Sequence, residues 1–220
     1  MPVYKKVNKE FFKKWTPQMA YVLGFFSADG NMIKTNRNTH FISWYSADKD
    51  ILQKIKEVMN SEHKISKRLS NTGCVFRLQI GSKQMFNDLV GLGYTPLKSR
   101  RIRLPHMPKR CLGCFIRGYF DGDGNVWVGF INKNRKTPTR VLQVAFTSIS
   151  KEFLIDLRKC LRDCGIRGGS FYSPKDKNVY RLSFSTLDAL RLGEIMYNED
   201  SELFLGRKKL RFKHFREMRV

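Results

Sequence analysis

Acid is scarce in this chain. Asp and Glu number 19 in 220 residues against 42 Lys and Arg, a formal charge of +23. A folded domain with that excess repels itself, and the usual reason to carry it is a polyanionic partner, nucleic acid ahead of an anionic membrane surface. Long apolar runs are missing too: nothing approaches the roughly 18 residues of a membrane span. The opening Met1-Pro-Val-Tyr-Lys-Lys6 lacks the apolar segment of a secretory signal. No membrane partner is therefore expected. Cysteines are few and odd in number, five, which argues against a disulfide framework and for a reducing intracellular compartment. Cys111/Cys114 and Cys160/Cys164 have zinc-like spacing but fall inside helical patterns, so zinc is not expected. The four histidines do not cluster at ligand spacing.

Apolar and aromatic residues are plentiful. Hydrophobic residues make up 41% of the chain, with 17 Phe, 8 Tyr and 3 Trp, enough to bury a core in one large or two small domains. A disordered basic tail is excluded.

One stretch occurs twice. Ala20-Tyr-Val-Leu-Gly24-Phe-Phe-Ser-Ala28-Asp29-Gly30-Asn31 aligns without a gap on Cys114-Phe-Ile-Arg-Gly118-Tyr-Phe-Asp-Gly122-Asp123-Gly124-Asn125. Small residues recur every fourth position: Ala20/Cys114, Gly24/Gly118, Ala28/Gly122. On a helix these share one face. A mid-helix glycine costs about 1 kcal/mol against alanine, so Gly24 and Gly118 need a compensating reason. Close packing of the two helices, with Ala20 and Cys114 in the same strip, is the reason expected here. It brings Asp29 and Asp123 together, two carboxylates suited to a divalent metal. A helix C-terminus repels a carboxylate and attracts a cation, so the placement makes sense if a metal neutralises it. The plain alternative is that Asp-Gly-Asn merely ends each helix in a turn.

Each copy heads a similar run of elements. Thr16-Pro17 starts a helix reaching Ala28 and stopping at Gly30, which suits a C-terminal cap. Strands are expected at 31–34 and 40–46, a helix at 49–60, a hairpin of 64–69 with 75–80, and a helix at 82–92. The second half repeats this: a helix over 109–122, strands at 125–131 and 140–148, a helix at 151–164, a hairpin of 170–173 with 179–185, and a helix at 187–197. The expected fold is α+β, two pseudo-symmetric αββαββα halves at 1–95 and 110–220 joined by a proline-rich basic linker at 96–109. The candidate nucleic-acid contacts are Arg77, Gln79, Arg140, Gln143 and Arg181 on strands, with Lys34, Arg37, Lys67, Arg68, Asn132, Lys133 and Arg135 on adjoining turns.

With Val22–Gly30 and Ile116–Gly124 as its two motifs, the chain resembles the single-chain LAGLIDADG homing endonucleases over nearly its whole length. It departs from the family pattern at Ser27, where the family often has Asp; the second copy keeps Asp121. The resemblance implies motif helices packed at a central interface and antiparallel β-saddles lying along the major groove of double-stranded DNA. It also implies a monomer that hydrolyses one phosphodiester per strand to leave short 3′ overhangs. Asp29 and Asp123 are the implied catalytic acids, and with Ala28 and Gly122 they form the implied metal site for Mg2+, with Ca2+ or Mn2+ able to substitute in binding. Lys98 and Arg207 are the implied basic residues near the scissile phosphate. The expected function is a site-specific, Mg2+-dependent double-strand DNA endonuclease acting at an intron or intein insertion site. The alternative is a non-cutting nucleic-acid binder on the same scaffold, an RNA maturase binding intron RNA or a DNA-binding regulator.

Overall fold

A computed structural model describes residues 5–70, 73–96, 101–174, 178–197 and 202–217. The first half runs α1 (Pro17–Asp29), β1 (Gly30–Lys34), β2 (His40–Ser46), α2 (Lys49–Val58), β3 (Ile65–Ser70), β4 (Gly73–Gly81), α3 (Lys83–Gly91). The second runs α4 (Lys109–Asp123), β5 (Gly124–Ile131), β6 (Thr139–Ser148), α5 (Lys151–Asp163), β7 (Ser170–Tyr172), β8 (Tyr180–Phe184), α6 (Thr186–Tyr197), and adds α7 (Gly206–Glu217). Both sheets are antiparallel and share one order, β1-β2-β4-β3 and β5-β6-β8-β7. The duplicated αββαββα plan is therefore present, with one helix beyond it.

The helix starts follow their caps. Thr16 Oγ1 accepts from the Met19 amide with Pro17 behind it, and Ser82 and Ser150 accept from the Met85 and Phe153 amides. The glycines after each Asp act differently from a left-handed cap. Gly30 and Gly124 are extended, at φ −94° and −85°. They are small because a Cβ would sit 2.2 Å from Phe26 Cδ2 and 2.1 Å from Phe120 Cδ2.

One hydrophobic cluster runs through both halves, from Phe12 and Trp44 to Phe146 and Phe184. The segment after the first half binds the second as well. Ile102 O accepts from Ser150 Oγ, and the Arg103 guanidinium clasps both oxygens of Asp156 at 2.6 and 2.9 Å.

The motif helices lie parallel and almost touch. A Cβ on Gly24 would fall 2.1 Å from Phe115 O and 2.9 Å from the Tyr119 amide; one on Gly118 would fall 2.1 Å from Tyr21 O and 2.9 Å from the Phe25 amide. The two sets of neighbours correspond under the repeat, so a pseudo-twofold axis runs between the helices. Ala20 and Cys114 are buried in the same pair of helices. No helix among the described residues is long and apolar enough to cross a membrane.

Candidate active site at the paired helix ends

Asp29 and Asp123 are the last residues of α1 and α4. Because the helices are parallel, both carboxylates lie at one end of the seam, the first half-buried and the second exposed. Gly122 brings them close: its Cβ would sit 2.4 Å from Ala28 Cβ and 3.0 Å from Asp29 Oδ2. The carboxylate of one half thus rests against the backbone of the other. Any side chain at residue 122 would fill that cradle.

Lys208, from α7, closes the second helix end. Its buried ammonium donates to the carbonyls of Phe120 at 2.5 Å, Asp121 at 2.9 Å and Gly124 at 2.7 Å, with Gly122 at 3.5 Å. A cation there answers the negative end of the helix dipole. Burial lowers its pKa to about 8, against the opposing pull of Asp121, Asp29 and Asp123. Lys208 does not stand out in the sequence, where six of the twelve residues of α7 are Lys or Arg. Spacing could have found it. Lys208, Phe212 and Phe215 recur at helical intervals and are the buried residues of this helix.

Arg207 points elsewhere. Its guanidinium holds Asp48 Oδ2 of the first half at 3.0 and 3.2 Å, with its side chain 61% exposed. With Asn125, Lys208, Arg211 and the backbone of Gly122 and Gly124 it lines a cleft of 320 Å³ beside the second motif. Lys98 lies outside the described residues.

The sixth motif position serves the framework. Ser27 Oγ bonds Tyr94 OH at 2.6 Å, tying α1 to the segment after α3. Asp121 Oδ2 accepts from Leu205 N at 2.9 Å, tying α4 to the segment before α7, and from Tyr21 OH at 2.7 Å across the seam. Beside it Arg117 is buried, donating to Met196 O at 2.6 Å and lying over the Tyr21 ring. Burial raises the Asp121 pKa to about 6 despite these donors. A group whose folded pKa is raised stabilises fully below its unfolded value, near 4, and loses that contribution as pH climbs through 6. Asn keeps the acceptor for both donors and places its amide at Oδ1, which has no hydrogen-bond partner among the described residues. Asp121→Asn is therefore expected to gain about 2 kcal/mol on wild type between pH 4 and 7, read as the difference in unfolding free energy at the two pH values. A gap that stays constant or moves the other way would refute this assignment.

Strand register sorts the candidate nucleic-acid contacts by face. Opposite the helices lie Asn31, Ser43 and Gln79 in one row and Tyr45, Arg77 and Ser66 in another, with Arg68 further along. The second sheet shows Trp127 with Gln143, and Thr147 with Arg181 and Tyr172. Lys34, Lys67 and Arg140 fall on the helix side. Arg140 pairs with Phe130 and lies over the Phe215 ring of α7 at 5.1 Å, which separates it from Gln143 and Arg181. Lys34, Lys67 and Arg68 are strand residues rather than turn residues, whereas Arg37, Asn132, Lys133 and Arg135 sit on exposed turns as expected.

No group of three or more His, Cys, Asp or Glu that could hold a metal occurs among the described residues. A cation between Asp29 and Asp123 would rely on two carboxylates, nearby carbonyls, and oxygens from water or a phosphate. That donor set fits Mg2+, a hard ion that keeps several waters and takes one or two carboxylates.

Residues 16–86 and 111–196 match the family model described as a LAGLIDADG-like domain. Homing endonuclease I-ApeI of Aeropyrum pernix is 26% identical over 174 residues, covering 74% of this chain and 73% of that protein. Among solved structures, I-DmoI in complex with DNA and Mn superposes with a TM-score of 0.58 at 18% identity, covering 84% of this chain and 98% of that one. I-SmaMI bound to uncleaveable DNA superposes with a TM-score of 0.64 at 12% identity, covering 92% and 90%.

Proposed function

The chain belongs to the LAGLIDADG-like domain family, and from that premise we propose that it is a site-specific endonuclease acting on double-stranded DNA. The carrying observation is the pair Asp29 and Asp123, held at one end of a seam so tight that Gly24 and Gly118 admit no side chain. Each carboxylate directly precedes a strand whose outer face is open to a duplex. A relative named as a homing endonuclease and a structural neighbour solved with DNA and Mn support the same reading.

In this reading Asp29, Asp123 and the backbone at Ala28 and Gly122 would hold a divalent ion, Mg2+. When bound it supplies charge neutralisation at the phosphate and acidifies water. The chain does the rest. The seam sets the spacing of the two acids, Lys208 holds the end of α4 in place, and Arg207 and Arg211 offer positive charge beside the second motif for the phosphate backbone. One single-chain molecule cuts one phosphodiester on each strand, at a long site where an intron or intein is inserted.

Full-length protein incubated with duplex carrying its own gene's uninterrupted insertion site is expected to linearise it with Mg2+ and to leave it intact with EDTA. Tight binding to intron RNA with no metal-dependent cleavage would instead make the chain a splicing maturase.

A further inference from the structure

Each strand leaving the site carries an asparagine and then a large apolar side chain on its open face. Two residues past the acid stands Asn31 or Asn125, and four residues past it stands Ile33 or Trp127. Large apolar side chains on a sheet face normally find cover, yet Ile33 is 40% and Trp127 41% exposed. The second sheet also makes room for this one. A Cβ on Gly129, two residues along the same face, would fall 2.1 Å from Trp127 Cζ2 and 2.6 Å from Cη2. The indole therefore lies along the strand over Gly129, an apolar plate beside Gln143, its register partner on β6.

We infer that Trp127, with Ile33 as its counterpart, is a specificity-determining residue that reads the 5-methyl group of thymine, one in each half-site. This rests on the DNA endonuclease reading above. A strand advances about 3.3 Å per residue and a duplex about 3.4 Å per base pair, so each contact falls roughly four base pairs from the centre of the cleaved site. In the major groove only thymine offers an apolar group, and an apolar side chain is what recognises it. The occupant is the same duplex that meets Asp29 and Asp123, since β1 and β5 are continuous with both acids and the chain's excess charge is positive.

Duplexes cleaved from a randomised library by the full-length protein define the preferred site. Each thymine of that site is then replaced by deoxyuridine, which removes the methyl and keeps every hydrogen-bonding edge. One replacement in each half-site, about four base pairs from the centre, is expected to weaken binding about fourfold, the value of one buried methyl. Trp127→Ala is expected to erase that penalty in one half-site only. Gly129→Ala is expected to erase it too while keeping the tryptophan, because the new methyl displaces the ring. Cleavage of a site with no thymine there, or equal binding to thymine and uridine throughout, overturns the inference and leaves the nuclease reading standing. If no duplex is bound or cut, that reading falls and the inference with it.

Discussion

Asp29→Asn and Asp123→Asn are each expected to lower double-strand cleavage at least about a thousandfold, while binding to the same duplex changes by no more than a few fold. The substitution keeps size and removes a charge. If the carboxylate pair holds the cation that neutralises the reacting phosphate, several kcal/mol of transition-state stabilisation depend on that charge. Affinity comes mainly from the many phosphate contacts of a strongly basic surface, so binding survives or tightens slightly as an acid leaves the DNA side. Plasmid linearisation and a binding titration on the same preparations separate the two effects. If either variant still linearises its substrate, the two acids do not form one shared site.

Gly24→Ala, and equally Gly118→Ala, is expected to destabilise the fold by about 3 kcal/mol and to slow cleavage sharply. In an open helix the change would gain about 1 kcal/mol. Here the new methyl meets Phe115 O at 2.1 Å, or Tyr21 O at 2.1 Å in the second helix. Backbone cannot rotate out of the way as a side chain can, so the helices must part, and overpacking of this kind costs 1–3 kcal/mol or more. For a chain of this size that is a drop in Tm of roughly 5–10 °C. Parting the helices also moves Asp29 from Asp123, and a displacement near 1 Å can cost about a hundredfold in rate. Gly91→Ala is the control, since nothing among the described residues lies within 4 Å of its added methyl. Wild-type melting and cleavage in Gly24→Ala would show that the seam is looser than its backbone contacts require.

Much of this architecture was legible in the residues themselves. Helix caps, strand alternation and the doubled motif are local patterns, and local patterns survive in a string of letters. The glycine seam was legible for the same reason, because spacing four on a helix is a statement about one face. The pairing of Asp29 with Asp123 then followed from having two copies.

Other features depended on residues far apart in sequence. Arg140 alternates with apolar neighbours as Gln143 and Arg181 do, but only the register of β5 against β6 shows that it faces Phe215 instead. The sixth motif position reads as Ser or Asp, and only folding supplies Tyr94, Tyr21 and Leu205 as partners. Lys208 stood among identical charges, and what distinguishes it is burial beneath the end of α4, 84 to 88 residues away. By itself the sequence determined two halves, a close-packed seam, two acids at its end and a cationic surface, because each is set by spacing or composition. The tertiary structure decided which basic residue is buried beneath the end of α4 and which strand residues face outward, because burial and face are set by contacts that periodicity does not encode.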